Sequence, residues 1–231
     1  MRLRVFASAM AGMVLTIVVA APTARQPSPV DPRLEQAIAW YTGTSGRVDD
    51  DRAHALLQEA LKGGDAVSRM WLARCHSRGR MRFERDSLRA NAIAATVIDE
   101  IRRLADAGVA EAVFLMGTAY DEGLGVAASA SVAVEWFERA ANSGHVLAQH
   151  NLGNAYADGR GVAQLDGQAV YWWRKAAEAG DAIPQFRLAQ MYEDGRGVTK
   201  DVRLAIRWYE RAAARGHAPA AAALKRLAPP A

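Results

Sequence analysis

Apolar positions in the second half of the chain follow an order that returns every 36 residues. Between residues 110 and 122, Val113, Met116 and Tyr120 have the spacing of one face of a helix. A second helical pattern covers residues 131–142, and a glycine-containing GLGV segment separates the two. Each repeat therefore predicts a helix, a tight turn and a second helix, which we call helix A and helix B.

Several residue types recur at the same 36-residue step. They are Tyr120, Tyr156 and Tyr192; Gly123, Gly159 and Gly195; Trp136, Trp172 and Trp208; and Gly144, Gly180 and Gly216. Upstream, Gly79 precedes Gly123 by 44 residues, which predicts an insertion near 80–91. Because one such unit cannot bury both of its apolar faces, neighbouring units must stack. The sequence predicts an all-α solenoid of about five repeats, degenerate over 33–110, clear over 111–218, and capped by 219–231.

Some residues have expected local roles. Asp166 and Asp201 stand where helix B begins, as N-caps do. Gly117 and Gly153 are small, which predicts a close approach of helix B to helix A. The repeated tyrosines and tryptophans are expected in the core rather than in a site, because large aromatic rings fill the space between helices.

The segments LGNAYADGRGV, AVYWWRKAAEAGD, MYEDGRGVTKD and AIRWYERAAARGH resemble Sel-like repeats (SLR), a family related to tetratricopeptide repeats. The resemblance implies a right-handed α/α superhelix with a concave face. It also implies an adaptor or scaffold that binds proteins, including in bacterial envelope assemblies. A few secreted relatives, which are rich in cysteine, have been linked to β-lactams. This chain has only Cys75, which disfavours that branch. A groove that binds or hydrolyses a small molecule or cell-wall compound is the alternative.

The first 20 residues have the layout of a secretory signal peptide: Arg2 and Arg4, then an uncharged run from Val5 to Ala20. Residues 21–32 contain four prolines and predict an extended linker. We therefore expect a periplasmic or secreted protein. A membrane-tethered scaffold, anchored in the inner membrane by residues 5–20, is the alternative. The formal charge of +4 is too small to indicate a nucleic-acid partner.

The resemblance also implies which side chains face a partner. In tetratricopeptide-like stacks, the side of helix A away from helix B lines the concave face, and a peptide or a partner helix is the expected ligand. The candidate groove residues are Phe114, Thr118, Asp121, His150, Asn154, Phe186, Gln190 and Glu193. Packing of Phe114 and Phe186 against neighbouring helices is the competing interpretation.

The inserted stretch is a second candidate surface. Nine arginines and four acidic residues lie between Arg69 and Arg103. The candidate patch consists of Arg78, Arg80, Arg82, Arg85 and Arg89. It predicts an anionic polymer, a membrane surface or an acidic protein as partner, with a solvated helix face as the alternative.

Chemistry-bearing motifs are missing from the sequence. The five histidines show no H-E-x-x-H or Cys/His ligand spacing, and there is no G-x-S-x-G segment. Cys75 lies in an apolar helical pattern, which favours a buried, inert thiol. We therefore predict a protein that is not an enzyme, with no catalytic residues, metal or cofactor.

Overall fold

The computed structural model describes residues 30–228, and its regular secondary structure is entirely α-helical. The predicted signal peptide and most of the predicted linker lie outside these residues. The helices are α1 (Pro32–Thr42), α2 (Asp50–Leu61), α3 (Ala66–Arg78), α4 (Ser87–Ala95), α5 (Ile98–Asp106), α6 (Ala110–Glu122), α7 (Ala130–Asn142), α8 (Val146–Asp158), α9 (Asp166–Glu178), α10 (Ala182–Asp194), α11 (Val202–Ala214) and α12 (Ala218–Leu227). None of these helices is both long and apolar enough to cross a membrane.

The helices form five consecutive hairpins that pack side by side, which confirms the predicted α-solenoid. We number them as units: α1–α2 is unit one, α3–α5 unit two, α6–α7 unit three, α8–α9 unit four and α10–α11 unit five. Helix α12 packs on α11 and covers the end of the stack. Each unit buries the apolar face that its neighbour leaves open, as repeat architectures require.

Unit two differs from the others in its second half. Its turn, residues 79–86, is one residue longer than the turn at 123–129 of unit three. Most of the additional length lies further on, because helix B is divided into α4 and α5 by a break at Thr96 and Val97. The stretch 80–91 predicted for the insertion covers the turn and the start of α4, whereas most of the added residues belong to the divided helix B, which continues to Asp106.

Within a unit, an aromatic ring of helix B lies directly on a small residue of helix A. A Cβ atom added to Gly117 would lie 2.5 Å from Cδ1 of Phe137. A Cβ added to Gly153 would likewise collide with the indole of Trp173. Real Cβ atoms do not approach other atoms this closely, so both positions need glycine. The close approach predicted at these two glycines is confirmed.

The repeated aromatic residues are structural. Trp172 and Trp208 are buried, whereas Trp136 is half-buried against the same core. The three repeated tyrosines, Tyr120, Tyr156 and Tyr192, are half-buried and pack on the core. A cation three residues later covers each tryptophan: Arg139 lies 4.2 Å above Trp136, Lys175 lies 5.1 Å above Trp172, and Arg211 lies 4.5 Å above Trp208. The prediction that these rings belong to the core is confirmed.

Many of the helix boundaries follow local capping rules. The backbone of Gly123, Gly159 and Gly195 is left-handed at the end of each helix A, as glycine C-caps allow. Asp201 caps α11, since its carboxylate accepts a hydrogen bond from the backbone N–H of Leu204 at 2.9 Å. The N-cap predicted at Asp166 is wrong. Leu165 holds that position, and Asp166 forms an ion pair with Arg196 at 2.9 Å.

The first unit bends back towards the last. The N–H of Val48, in the α1–α2 loop, donates to the carbonyl of Arg215 at 2.8 Å. The guanidinium of Arg215 in turn donates to the carbonyl of Gly43, 172 residues earlier in the chain. The end of α1 also lies against the start of α8, where Thr42 and Leu147 line the same cavity, so α1 covers this part of the helix A row.

Candidate functional site

The open groove lies between α8 and α10 and has a volume of about 320 Å³. Its floor contains the indole of Trp173, and the rest of its lining is mainly polar. The other lining residues are His150, Asn154, Ala157, Asp158, Ile183, Arg187, Gln190, Met191, Asp194 and Arg196. This surface therefore presents hydrogen-bonding groups and both signs of charge around a limited apolar floor.

Two amides of the groove occupy the same repeat position on α8 and α10. The Oδ1 atom of Asn154 accepts a hydrogen bond from Nε1 of Trp173 at 3.1 Å, which fixes the orientation of the amide. The Oε1 atom of Gln190 accepts a longer bond from Arg187 at 3.4 Å. Both NH₂ groups thus remain able to donate to a backbone carbonyl of a bound chain.

His150 is held at the edge of the groove by a buried carboxylate. Its Nδ1 lies 2.9 Å from Oδ2 of Asp181. Asp181 is also the N-cap of α10, because its Oδ1 accepts from the N–H of Ile183 at 3.1 Å. The imidazole is therefore fixed by the start of the next unit, and its other nitrogen is the one left for a ligand.

Two predicted groove residues are inaccessible. Phe114 is 0% exposed, stacks on His145 at 4.6 Å between ring centroids and packs near Phe137 at 6.0 Å. Thr118 is buried as well. The prediction that these two side chains line an open groove is wrong: Phe114 packs between helices, as the competing interpretation proposed, and Thr118 is enclosed.

Three further candidates serve contacts between helices. Asp121 forms an ion pair with Arg160 of the next unit at 3.0 Å. Glu193 accepts a hydrogen bond from the hydroxyl of Tyr209 at 2.7 Å and also pairs with Arg226 of α12. Phe186 is half-buried, with its ring 4.8 Å from that of His217. Of the eight candidates, His150, Asn154 and Gln190 line the groove.

Sequence reasoning missed two prominent residues of the groove. Ile183 is an apolar side chain with 38% exposure, although its counterpart Leu147 in unit four is buried under the end of α1. Arg187 follows Phe186 by one residue and projects into the groove. A signal for Arg187 was present in the repeat. Its position is held by the apolar Leu115 in unit three, but by the polar Asn151 and Arg187 in units four and five.

The predicted arginine patch is divided among ion pairs. Arg80 binds Glu122 at 2.7 Å, and Arg78 binds the same carboxylate at 3.2 Å. Arg82 pairs with Asp51 of α2 at 2.8 Å. Only Arg85 and Arg89 have no ion pair within residues 30–228, so the five arginines do not form one free cationic surface.

Glu122 is the anionic centre of this network. Its side chain is 5% exposed and also accepts a hydrogen bond from the hydroxyl of Ser77. Burial by itself raises the pKa of Glu122, but the charge and hydrogen bonds of Arg80 outweigh it, so the pKa lies below its usual value. The carboxylate is therefore ionised at neutral pH and holds units two and three together.

Cys75 is buried in the same region. Burial raises the pKa of its thiol to about 12, so the reactive thiolate is scarce at neutral pH. This agrees with the prediction of an inert cysteine. No group of three or more His, Cys, Asp and Glu side chains in the described part of the chain is arranged to hold a metal ion.

The Sel1 repeat model matches residues 36–65, 110–145, 146–181 and 185–217. A Sel1 repeat protein from Oxalobacter formigenes is 34% identical, with a TM-score of 0.53; the match covers 78% of this chain and 50% of that one. A protective antigen of uropathogenic Escherichia coli that displays an SLR fold is 25% identical, with a TM-score of 0.57 and coverage of 84% and 48%. The chain thus spans about half the length of these two proteins. No curated protein matches the chain.

Proposed function

Because the chain belongs to the Sel1 repeat family, we propose that it is an adaptor that binds an extended segment of a partner protein in the groove between α8 and α10. Sel1 repeat proteins generally serve as scaffolds for protein–protein interactions and are generally non-catalytic. The observation that carries the proposal is the pair of amides, Asn154 and Gln190, at one repeat position along an open groove.

The chemistry of the groove suits a peptide backbone. An extended chain presents carbonyl and N–H groups at regular intervals, and amide side chains both donate to and accept from them. Ile183 and the indole of Trp173 supply apolar contact for an intervening side chain. Arg187, Asp158 and Asp194 add charges that discriminate between partner sequences.

The test is affinity capture from the native envelope with an Arg187→Ala/Gln190→Ala double variant beside the unmodified protein. These two residues line the groove without contributing to the core of the fold. The matched control is Arg203→Ala/Gln168→Ala, which removes the same residue types from exposed positions on α11 and α9. Thermal unfolding of all three proteins checks that they are folded.

A partner retained by the control and lost by the groove variant supports the proposal. The purified partner should then bind the protein with a dissociation constant that rises at least tenfold in the groove variant, since two polar contacts of about 1 kcal/mol each are removed. Equal capture by the groove variant and the control would show that another surface is used.

We also propose that the adaptor acts in the periplasm or outside the cell, after cleavage following Ala20. The support is the pattern of residues 1–20, with its arginines, its uncharged run and its small residues before the cleavage point. The intact mass of the protein isolated from its own cells is the test. A mass that includes residues 1–20 would favour the anchored alternative.

A further inference from the structure

A buried arginine faces the concave side of unit two. Gly79 and Gly123 are equivalent and lie 44 residues apart, so Arg74 occupies in α3 the position that Asn154 occupies in α8 and Gln190 in α10. Arg74 lines a cavity of about 200 Å³ beneath the end of α1. The other lining residues are Tyr41, Thr42, Arg80, Leu147, His150, Asn151, Asn154, Asp181 and Ile183.

The protein encloses the Arg74 guanidinium without giving it an acceptor. The residue is 3% exposed, and its Nε and Nη1 atoms are buried with no hydrogen-bond partner among residues 30–228. The guanidinium carbon lies 4.5 Å from the ring centre of Trp71 and 5.3 Å from that of Phe114. These rings stabilise a positive charge through their faces, but they supply no carbonyl or carboxylate oxygen for the N–H groups.

The neighbouring charges do not meet this need. Arg80 lies in the same cavity but donates to Glu122 at 2.7 Å, and His150 is bonded to Asp181 at 2.9 Å. Arg74 is thus the cation of the cavity that has no ion pair or hydrogen bond to a carboxylate in the described residues, although the charges of Glu111 and Glu122 act on it from a distance. A buried charge is strongly unfavourable unless it is paired and hydrogen-bonded. In keeping with this, burial lowers the pKa of Arg74.

We propose that the cavity binds a small organic monocarboxylate whose two oxygens pair with the Arg74 guanidinium. The planar fork of arginine matches a carboxylate in a bidentate arrangement. The amides of Asn151 and Asn154 line the same cavity, where they can form hydrogen bonds with the part of the ligand beyond its carboxylate.

Size and charge narrow the ligand class. A cavity of about 200 Å³ exceeds the ~30 Å³ share of one water several-fold, yet it is smaller than the ~300–1,000 Å³ of drug-sized sites. One unpaired cation matches a monoanion, whereas a phosphate dianion brings a second charge that no free cation of the cavity meets. The cavity shares His150, Asn154 and Ile183 with the groove, but Arg187 and Gln190 line the groove alone, so the groove variant tests the adaptor function without altering the lining of this cavity.

The first test is thermal unfolding of the purified protein in acetate or propionate, exchanged for chloride at constant ionic strength, with inorganic phosphate as the comparison. Above the dissociation constant, the Tm should rise by about 3–5 °C for each tenfold increase in carboxylate. Arg74→Met should lose this rise. Arg89→Met, which removes an exposed arginine without an ion pair, should keep it.

The proposal would be overturned by no rise with either carboxylate, by an equal rise in Arg74→Met, or by a larger rise with phosphate. The Tm could instead rise with acetyl-triglycine, but not with its C-terminal amide and not with acetate or propionate. That result would assign the cavity to the C-terminal end of a peptide instead of a small acid. That result would also overturn it.

A second measurement applies if Arg74→Met fails to fold. Calorimetric titration of glycolate, whose hydroxyl can bond to the Asn151 amide, into Asn151→Ala should give a dissociation constant about 5-fold higher than for the unmodified protein, which corresponds to one lost hydrogen bond. Arg74→Lys, which keeps the charge but not the fork, should weaken binding about 10-fold or more. Unchanged affinity in both variants would exclude the assigned contacts.

Discussion

Units two and four stabilise the same kind of helical hairpin in different ways. In unit four the interior is apolar, with Trp173 lying on Gly153. Where unit two meets unit three the interior is ionic, with Arg80 and Arg78 around Glu122. Glu122 shares its repeat position with Asp158, which is exposed at the end of α8. The acidic residue at this repeat position therefore contributes differently to stability in different units, depending on the side chains that the neighbouring unit places against it.

The largest expected effect is the loss of the charge at Glu122. Glu122→Gln leaves Arg80 enclosed without a carboxylate, which should lower the free energy of unfolding by about 3–5 kcal/mol. Asp158→Asn makes the same type of change at an exposed position and should alter stability by less than about 0.5 kcal/mol. Urea unfolding measures both values. Equal effects in the two variants would contradict the contrast between the units.

The apolar interior of unit four should respond to volume instead of charge. Gly153→Ala places a methyl group against the Trp173 indole and should destabilise the protein by about 1–3 kcal/mol. Gly167→Ala is the control, since an added Cβ there approaches no atom closer than 4.0 Å. That substitution should stabilise the protein by about 0.4–1 kcal/mol. Urea unfolding of both variants, with tryptophan fluorescence as the probe, tests this directly.

The ionic contact should also impose a pH dependence that the apolar unit lacks. Because the pKa of Glu122 is lowered in the folded state, its contribution is complete above the usual value of 4.5 and is lost as pH falls through the folded value. The stability difference between the unmodified protein and Glu122→Gln should therefore shrink in acid, below about pH 4.5. The difference for Gly153→Ala should stay constant over the same range, and a constant difference for both would refute the assignment.

The smallest effect concerns two aspartates that start helix B in neighbouring units. Asp201→Ala removes the hydrogen bond to the Leu204 N–H and should destabilise the protein by about 1 kcal/mol. Asp166→Ala removes only a surface ion pair with Arg196 and should have an effect below about 0.5 kcal/mol. Thermal unfolding ranks the two, and a larger loss at Asp166 would mean that it caps α9 after all.

The repeat itself made most of the fold predictable. Glycines with left-handed backbone, such as Gly123, and aromatic positions such as Trp172 recur at a fixed step, so the helices and turns follow from local rules. Asp166 was misassigned because residue type was followed instead of the repeat: the 36-residue step from Ser129 and from Asp201 leads to Leu165, which holds the N-cap position without a capping side chain. The division of helix B in unit two at Thr96 and Val97 was not predicted, because the insertion had been placed near 80–91.

The candidate site was less predictable, because the concave face is not equally open along the stack. The repeat position of Asn154 and Gln190 was identified, and both side chains line the groove. At the same position in unit three, Thr118 is buried. On α8 the end of α1 covers Leu147, and the placement of α1 depends on contacts between distant parts of the chain, such as Val48 with Arg215.

The contact between the α1–α2 loop and Arg215 has a consequence for how the protein folds. In an open solenoid, each unit interacts with its neighbours alone, so units can unfold from one end. Here the bond from Arg215 to Gly43 spans 172 residues and joins the first unit to the last. A contact between residues so far apart in the sequence slows folding, and it couples the stability of the first unit to that of the last. The array should therefore lose its terminal units together, and a chain with one unit deleted should be unable to join its ends.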